Sequence, residues 1–277
     1  HEYTTPETAC QSATGAVADG LAPGASNTPV QIASKGLSLE GALILDWLSG
    51  TFVNMEQTDA LEFVQTLFGD LMPVDGGWGG YEHQAIILGK GWVRWSDERP
   101  QLGVHVALGA EALANVALVS DLDKQGSVRE WLGKLLALGF RPSRVDFALD
   151  DRVGLLEMER IREHIAEGKL STRFRQINAF ENLRGARGET IYFGSGKSAT
   201  LCRIYDKAAE QSVEGHWVRC EFQFRHKNAV RVCEKVVQDG EACLFGLFRG
   251  YLDFKEGTAG DRNVTRQKSA SWWVHFL

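Results

Sequence analysis

Two neighbouring segments place chemistry-bearing side chains at strand spacing: TLCRIYDK at 200–207 and WVRCEFQFR at 217–225. Residues two apart in a strand share a face, so Arg203, Tyr205 and Lys207 stand together while Cys202, Ile204 and Asp206 point away. Arg219, Glu221, Gln223 and Arg225 share a face in the same way, with Val218, Cys220, Phe222 and Phe224 on the other. A phenol between two cations, beside a carboxylate, suits phosphoryl transfer onto the tyrosine oxygen. Cations near the phenol would favour a phenolate. The bland alternative is a packing tyrosine with a satisfied hydroxyl. Tyr192 is the competing phenol, but IYFGS gives it no cation two residues away.

A third segment, SRVDFALDD at 143–151, puts Asp146, Ala148 and Asp150 on one strand face. Carboxylates on a strand among apolar residues must be paired, hydrogen-bonded or metal-bound. Salt bridges to Arg144 or Arg152 would satisfy them. With Glu221 added from another strand, they would offer an all-oxygen site for Mg²⁺ or Mn²⁺. Asp151 continues into a turn and can cap a helix. The seven histidines show no metal-binding spacing, and His105, out of phase with Val104 and Val106, reads as a structural histidine.

GSGKS at 194–198 is not a phosphate-binding loop. The GxxxxGK[ST] form needs glycine where Ile191 stands, and a helix must follow, whereas TLCRIYDK alternates as a strand. A hairpin turn between ETIYFGS and TLCRIYDK fits better.

These segments need a scaffold to hold them. Residues 1–35 are rich in Ala, Gly, Thr, Ser and Pro without periodicity and read as a flexible tail. Residues 36–277 follow one plan twice, over about 36–140 and 141–277. In the first unit ALILDWLSGTF (42–52) is a strand and TDALEFVQTLFGDL (58–71) a helix. Strands follow around 84–91, 91–96 and 102–110, then a helix at 127–140. The second unit repeats this with strands at 143–151, 172–181, 189–195, 200–210 and 217–225, and helices at 155–168 and 228–238. Duplicated β-α-β-β-β-α units imply an α+β fold with a mainly antiparallel sheet. ILDWL against VDFAL, aligning Asp46 with Asp146, is the best local match between the units.

Composition sets outer limits. The net charge of −6 is uneven: counting Lys and Arg against Asp and Glu, residues 1–140 carry −10, residues 141–231 carry +4, and the remainder is neutral. A polyanion responds to the local field, so the middle of the chain is compatible with DNA. No apolar run reaches the roughly 18 residues a membrane span needs. Five cysteines with no C-x-x-C pair fit free thiols in a reducing cytoplasm. The apolar run WWVHFL at the end is an unusual terminus, from which a longer native chain is expected.

At SRVDFALDD, TIYFGSGKSATLCRIYDKAAEQ and WVRCEFQFR the chain resembles the replication initiation factor family, the Rep-trans type initiators of rolling-circle plasmids and filamentous phages. Relaxases of some conjugative elements are similar. Weaker matches at ILDWLSGTF, GVHVALGAEAL and SWWVHFL extend the resemblance in order from about 43 to 277. It implies a rolling-circle nicking fold and a protein that nicks and rejoins one DNA strand through a 5′-phosphotyrosine. Tyr205 would be the nucleophile, helped by Arg203 and Lys207. A divalent metal would sit at Asp146, Asp150 and Glu221. Arg173, Arg175, Arg184, Arg187, Arg225 and Lys227 would grip the DNA backbone at an origin, single-stranded or hairpin, with a helicase as partner. The alternatives are a mobilisation relaxase of the same chemistry and a DNA-binding regulator without nicking activity.

Overall fold

The computed structural model describes residues 37–39, 43–88, 90–119, 128–181, 188–257 and 263–277. The expected tail lies outside them, as do Arg184 and Arg187.

A single large antiparallel sheet organises the molecule. Strands β1 (Leu37–Leu39) and β2 (Leu43–Phe52) lead into helix α1 (Gln57–Phe68), then β3 (Met72–Val74), β4 (His83–Ile87), β5 (Gly91–Trp95) and β6 (Val104–Gly109). Helices α2 (Ala110–Val119) and α3 (Val128–Ala137) follow. The chain then returns through β7 (Phe140–Asp151), α4 (Met158–Ala166), β8 (Leu170–Thr172), β9 (Ile177–Glu181), β10 (Glu189–Phe193) and β11 (Thr200–Asp206). It ends with α5 (Lys207–Gln211), β12 (Val218–Arg225), α6 (Lys227–Asp239), α7 (Cys243–Tyr251), β13 (Leu252–Phe254) and α8 (Ser271–Phe276). Across the sheet the order is β3-β4-β5-β6-β2-β7-β12-β11-β10-β9, with β1 on β2. Reading outward from the central β2–β7 pair, both sides meet their strands in reverse chain order.

Alternation decides which face is buried. Val145, Phe147, Leu149, Cys220, Phe222, Phe224, Cys202 and Ile204 are all buried in one continuous apolar core. Helix α6 contributes Ala229, Val232, Cys233 and Val236, the spacing of a single helical stripe. Phe248 of α7 stacks on Phe222 with ring centroids 4.2 Å apart. The terminal aromatic run joins this core: Trp273 is fully buried, 5.1 Å from Phe254.

Two expected strands are revised. The strand expected over 172–181 is split, because β8 leaves the large sheet to pair with β13. The strand expected over 200–210 stops at Asp206, whose side chain accepts from the Ala209 N–H and caps α5. The GSGKS segment is a turn between β10 and β11, with Gly194 at φ +99°. Among the described residues no helix is long and apolar enough to cross a membrane, and four cysteines are free thiols.

Candidate active site

The second face of the sheet carries the polar residues, and register brings them together. Arg203 of β11 lies opposite Glu221 of β12, and Tyr205 opposite Arg219. On the far side of β12, Arg219 lies opposite Asp150, Glu221 opposite Ala148, and Gln223 opposite Asp146 of β7. All the proposed catalytic and acidic residues except Lys207 therefore lie on three adjacent strands and one face.

At the centre Glu221, 1% exposed, is held from two sides. Its Oε1 accepts from Arg203 Nη2 at 2.7 Å, and its Oε2 from the Tyr205 hydroxyl at 3.4 Å. The Arg203 guanidinium and Lys207 Nζ lie 5.3 and 5.4 Å from the Tyr205 ring centroid. Lys207 opens α5 rather than extending the strand, and pairs with Glu210. A cavity of about 410 Å³ opens beside Tyr205, lined in part by Thr190, Tyr192 and Arg203.

The expectation of a phenolate is corrected. Burial first, and the Glu221 carboxylate second, push the Tyr205 phenol well above its ordinary value, and the opposing Arg203 and Arg219 do not offset them. Tyr205 therefore stands as a neutral phenol donating to a carboxylate, the arrangement of a nucleophile with an adjacent base.

Each acidic residue has a cationic partner. Arg144 reaches both oxygens of Asp146 at 2.5–3.1 Å, and Gln223 adds a bond at 3.1 Å. Arg219 forks onto Asp150 at 2.6 and 2.9 Å and onto Asp46 at 2.5 Å. Arg152 instead stacks on Trp217, 3.4 Å from the ring centroid. Asp146, Asp150 and Glu221 thus share a face but not a point. Among the described residues no three His, Cys, Asp or Glu side chains gather to hold a metal ion. In this arrangement the trio does not fit a divalent cation, which needs several oxygens converging at about 2.0–2.6 Å.

Asp46 and Arg219 complete the cluster. Asp46 sits at a bulge where the β2–β7 register shifts between Leu45 and Trp47, which turns it toward Arg219. Burial, then Glu221, raises its carboxyl to about 6. The ILDWL/VDFAL alignment marked Asp46 in the sequence, and strand parity placed Arg219 on the correct face. Asp151 is structural. Although burial opposes it, hydrogen bonds from Leu156 N–H, His216 and Val153 N–H hold its carboxyl below the usual range. His105 is half-buried, 3.0 Å from Thr51 Oγ1 through Nδ1, and away from Tyr205.

The basic residues expected to grip DNA lie apart from Tyr205. Arg225, opposite Arg144, ends β12 and donates to the Gly196 carbonyl, and Lys227 opens α6 in solvent. Six residues separate Arg219 from Arg225, about 20 Å of strand. Arg173 and Arg175 are exposed between β8 and β9, with Arg173 stacked 5.4 Å from the Tyr251 ring centroid.

Comparison with known proteins bears on the family and the fold. Residues 141–277 match the family model described as replication initiation factor. A candidate DNA relaxase, NicK, of Bacillus subtilis (strain 168) is 26% identical over 151 residues, covering 49% of this chain. The match spans only 42% of that relative's length. The solved structure of a rolling circle replication initiator protein from Geobacillus stearothermophilus shares the fold. Its TM-score is 0.72 at 23% identity, over 84% of this chain and 94% of that one. Residues 141–277, which carry Tyr205, Arg203, Glu221 and Asp146, are thus the part of the chain that matches the replication initiation factor family.

Proposed function

We propose that this chain nicks and rejoins one strand of DNA at a replication origin, with Tyr205 as the nucleophile. The observation that carries this reading is the Tyr205–Glu221–Arg203 constellation, with its phenol hydrogen-bonded to a buried carboxylate at the edge of a cavity. The Tyr205 oxygen attacks the phosphorus while its proton passes to Glu221. The bond from phosphorus to the 3′ oxygen breaks, and that oxygen leaves as a hydroxyl with a proton from solvent. Arg203 faces the charge that develops on the phosphate. One phosphodiester becomes one 5′-phosphotyrosine, so rejoining needs no nucleotide triphosphate.

Supercoiled DNA carrying the chain's own origin tests this. The expected products are relaxed circles and a covalent protein–DNA adduct with wild type, and neither with Tyr205→Phe. Specific binding without nicking would favour a regulator instead. The similarity to a relaxase supports a second reading, nicking at an origin of transfer by the same chemistry. Swapping replication-origin for transfer-origin DNA in the same assay separates the two. The divalent ion is part of the test. Loss of nicking in EDTA, restored by Mg²⁺ or Mn²⁺, requires at least one of Asp146, Asp150 and Glu221 to leave its arginine.

A further inference from the structure

The cavity beside Tyr205 continues onto an aromatic flank that the nicking chemistry does not use. Phe180 of β9 lies opposite Thr190 of β10, which lies opposite Tyr205 of β11. These three form one row across the sheet, and two strand spacings place Phe180 about 10 Å from Tyr205. In the next row Tyr192 lies opposite Arg203. Phe180 is 61% exposed, and its ring meets Tyr192 edge-on, with centroids 5.6 Å apart and planes at 81°. A single exposed phenylalanine is unremarkable. One held against a tyrosine that lines a cavity, a row away from a reactive phenol, makes a small aromatic platform.

We propose that this cavity takes one nucleobase of single-stranded DNA adjacent to the attacked phosphate, stacked on Tyr192 with Phe180 along its edge. The inference rests on the nicking reading for its substrate and adds the group that positions it. Its volume of about 410 Å³ lies within the range of about 300–1,000 Å³ of small-molecule sites. A base inside a duplex is stacked on both sides and cannot enter, so the occupant is unpaired or extruded. Arg203 lies opposite Tyr192 and two residues from Tyr205 on the same strand, and its guanidinium matches the charge of the phosphate that joins the base to the attacked position. Aromatic platforms accept any base face, so the site supplies position more than sequence.

The test is the binding of a fluorescein-labelled oligothymidylate and of a labelled duplex to the full chain, read by anisotropy. Phe180→Ala and Tyr192→Leu are each expected to weaken single-strand binding by about five- to tenfold, as stacking contributions of this kind imply, with duplex binding unchanged. Phe180→Trp should keep wild-type affinity, and its added indole emission should be quenched by the oligonucleotide. Wild-type single-strand affinity in both truncating variants overturns the proposal, as does an equal loss for single strand and duplex. The covalent-adduct assay keeps the two readings apart. An adduct with unchanged single-strand binding in the variants removes the base site and leaves nicking intact. Ring-dependent single-strand binding without any adduct does the reverse.

Discussion

Replacing Arg219 by methionine removes the cation that joins two acidic strands while keeping much of the buried volume. The guanidinium is 1% exposed and makes three short contacts, two to Asp150 and one to Asp46. Taking one partner from a buried ion pair costs about 3–5 kcal/mol, because the carboxylates left behind stay desolvated. The cost depends on pH, and its sign follows from Asp46. That carboxyl is already raised to about 6 with the guanidinium present, above its ordinary 3.8. A group whose folded-state value is raised adds stability as pH falls and loses it as pH rises through that value. Losing Arg219 raises Asp46 further. Each further unit costs the variant about 1.4 kcal/mol at pH 8 and nothing below about pH 4. Urea unfolding followed by far-ultraviolet circular dichroism, near pH 8 and again near pH 5, measures both quantities. The variant should lose about 4 kcal/mol at pH 8 and at least about 1 kcal/mol less at pH 5. Adding Asp46→Asn should recover part of the loss at pH 8. A deficit under about 1 kcal/mol, or an equal one at both pH values, refutes the reasoning.

Two further predictions concern the scaffold. His105 is depressed to about 4, by burial first and by Arg94 second, so the folded state binds its proton less readily than the unfolded chain. Stability from this group is complete above about pH 6.5 and lost as pH falls through about 4, up to about 3 kcal/mol in all. His105→Gln should flatten that slope in thermal unfolding, and an unchanged slope would contradict the assignment. Gly103 has φ +73°, and a Cβ there would stand 2.2 Å from the Phe52 carbonyl oxygen. Gly69, at φ +84°, has open space around it. Gly103→Ala should therefore lose at least about 2 kcal/mol and Gly69→Ala about 1 kcal/mol. Equal urea midpoints would count against the packing around β2.

What the sequence made legible was parity. The two-residue repeat in RIYDK and WVRCEFQFR places Arg203, Tyr205, Arg219, Glu221 and Gln223 on one face, where the structure has them. Parity says nothing of partners across strands. Asp150 read as a metal ligand because Arg219, the residue opposite it, lies 69 positions away in the chain, whereas the Arg144 that holds Asp146 was visible two residues away. The same limit hid the cation beside Tyr192, since Arg203 comes from the neighbouring strand rather than from two residues along. Tyr205's cations were visible in the sequence, but the burial that outweighs them is a property of the assembled sheet. Asp206 ends β11 early because its side chain caps the next helix, a local signal that strand alternation masked. Asp46 was visible only as an alignment of two short segments, and the bulge that aims it at Arg219 left no mark in the sequence.

The central claim is that Tyr205 makes the bond to DNA, and peptide mapping of the covalent adduct tests it most directly. Nuclease trimming followed by trypsin leaves the two competing phenols on different peptides, because Lys197 and Arg203 separate them. A nucleotide remnant on residues 204–207, which contain Tyr205, is the predicted result. A remnant on residues 188–197, which contain Tyr192, would contradict the account.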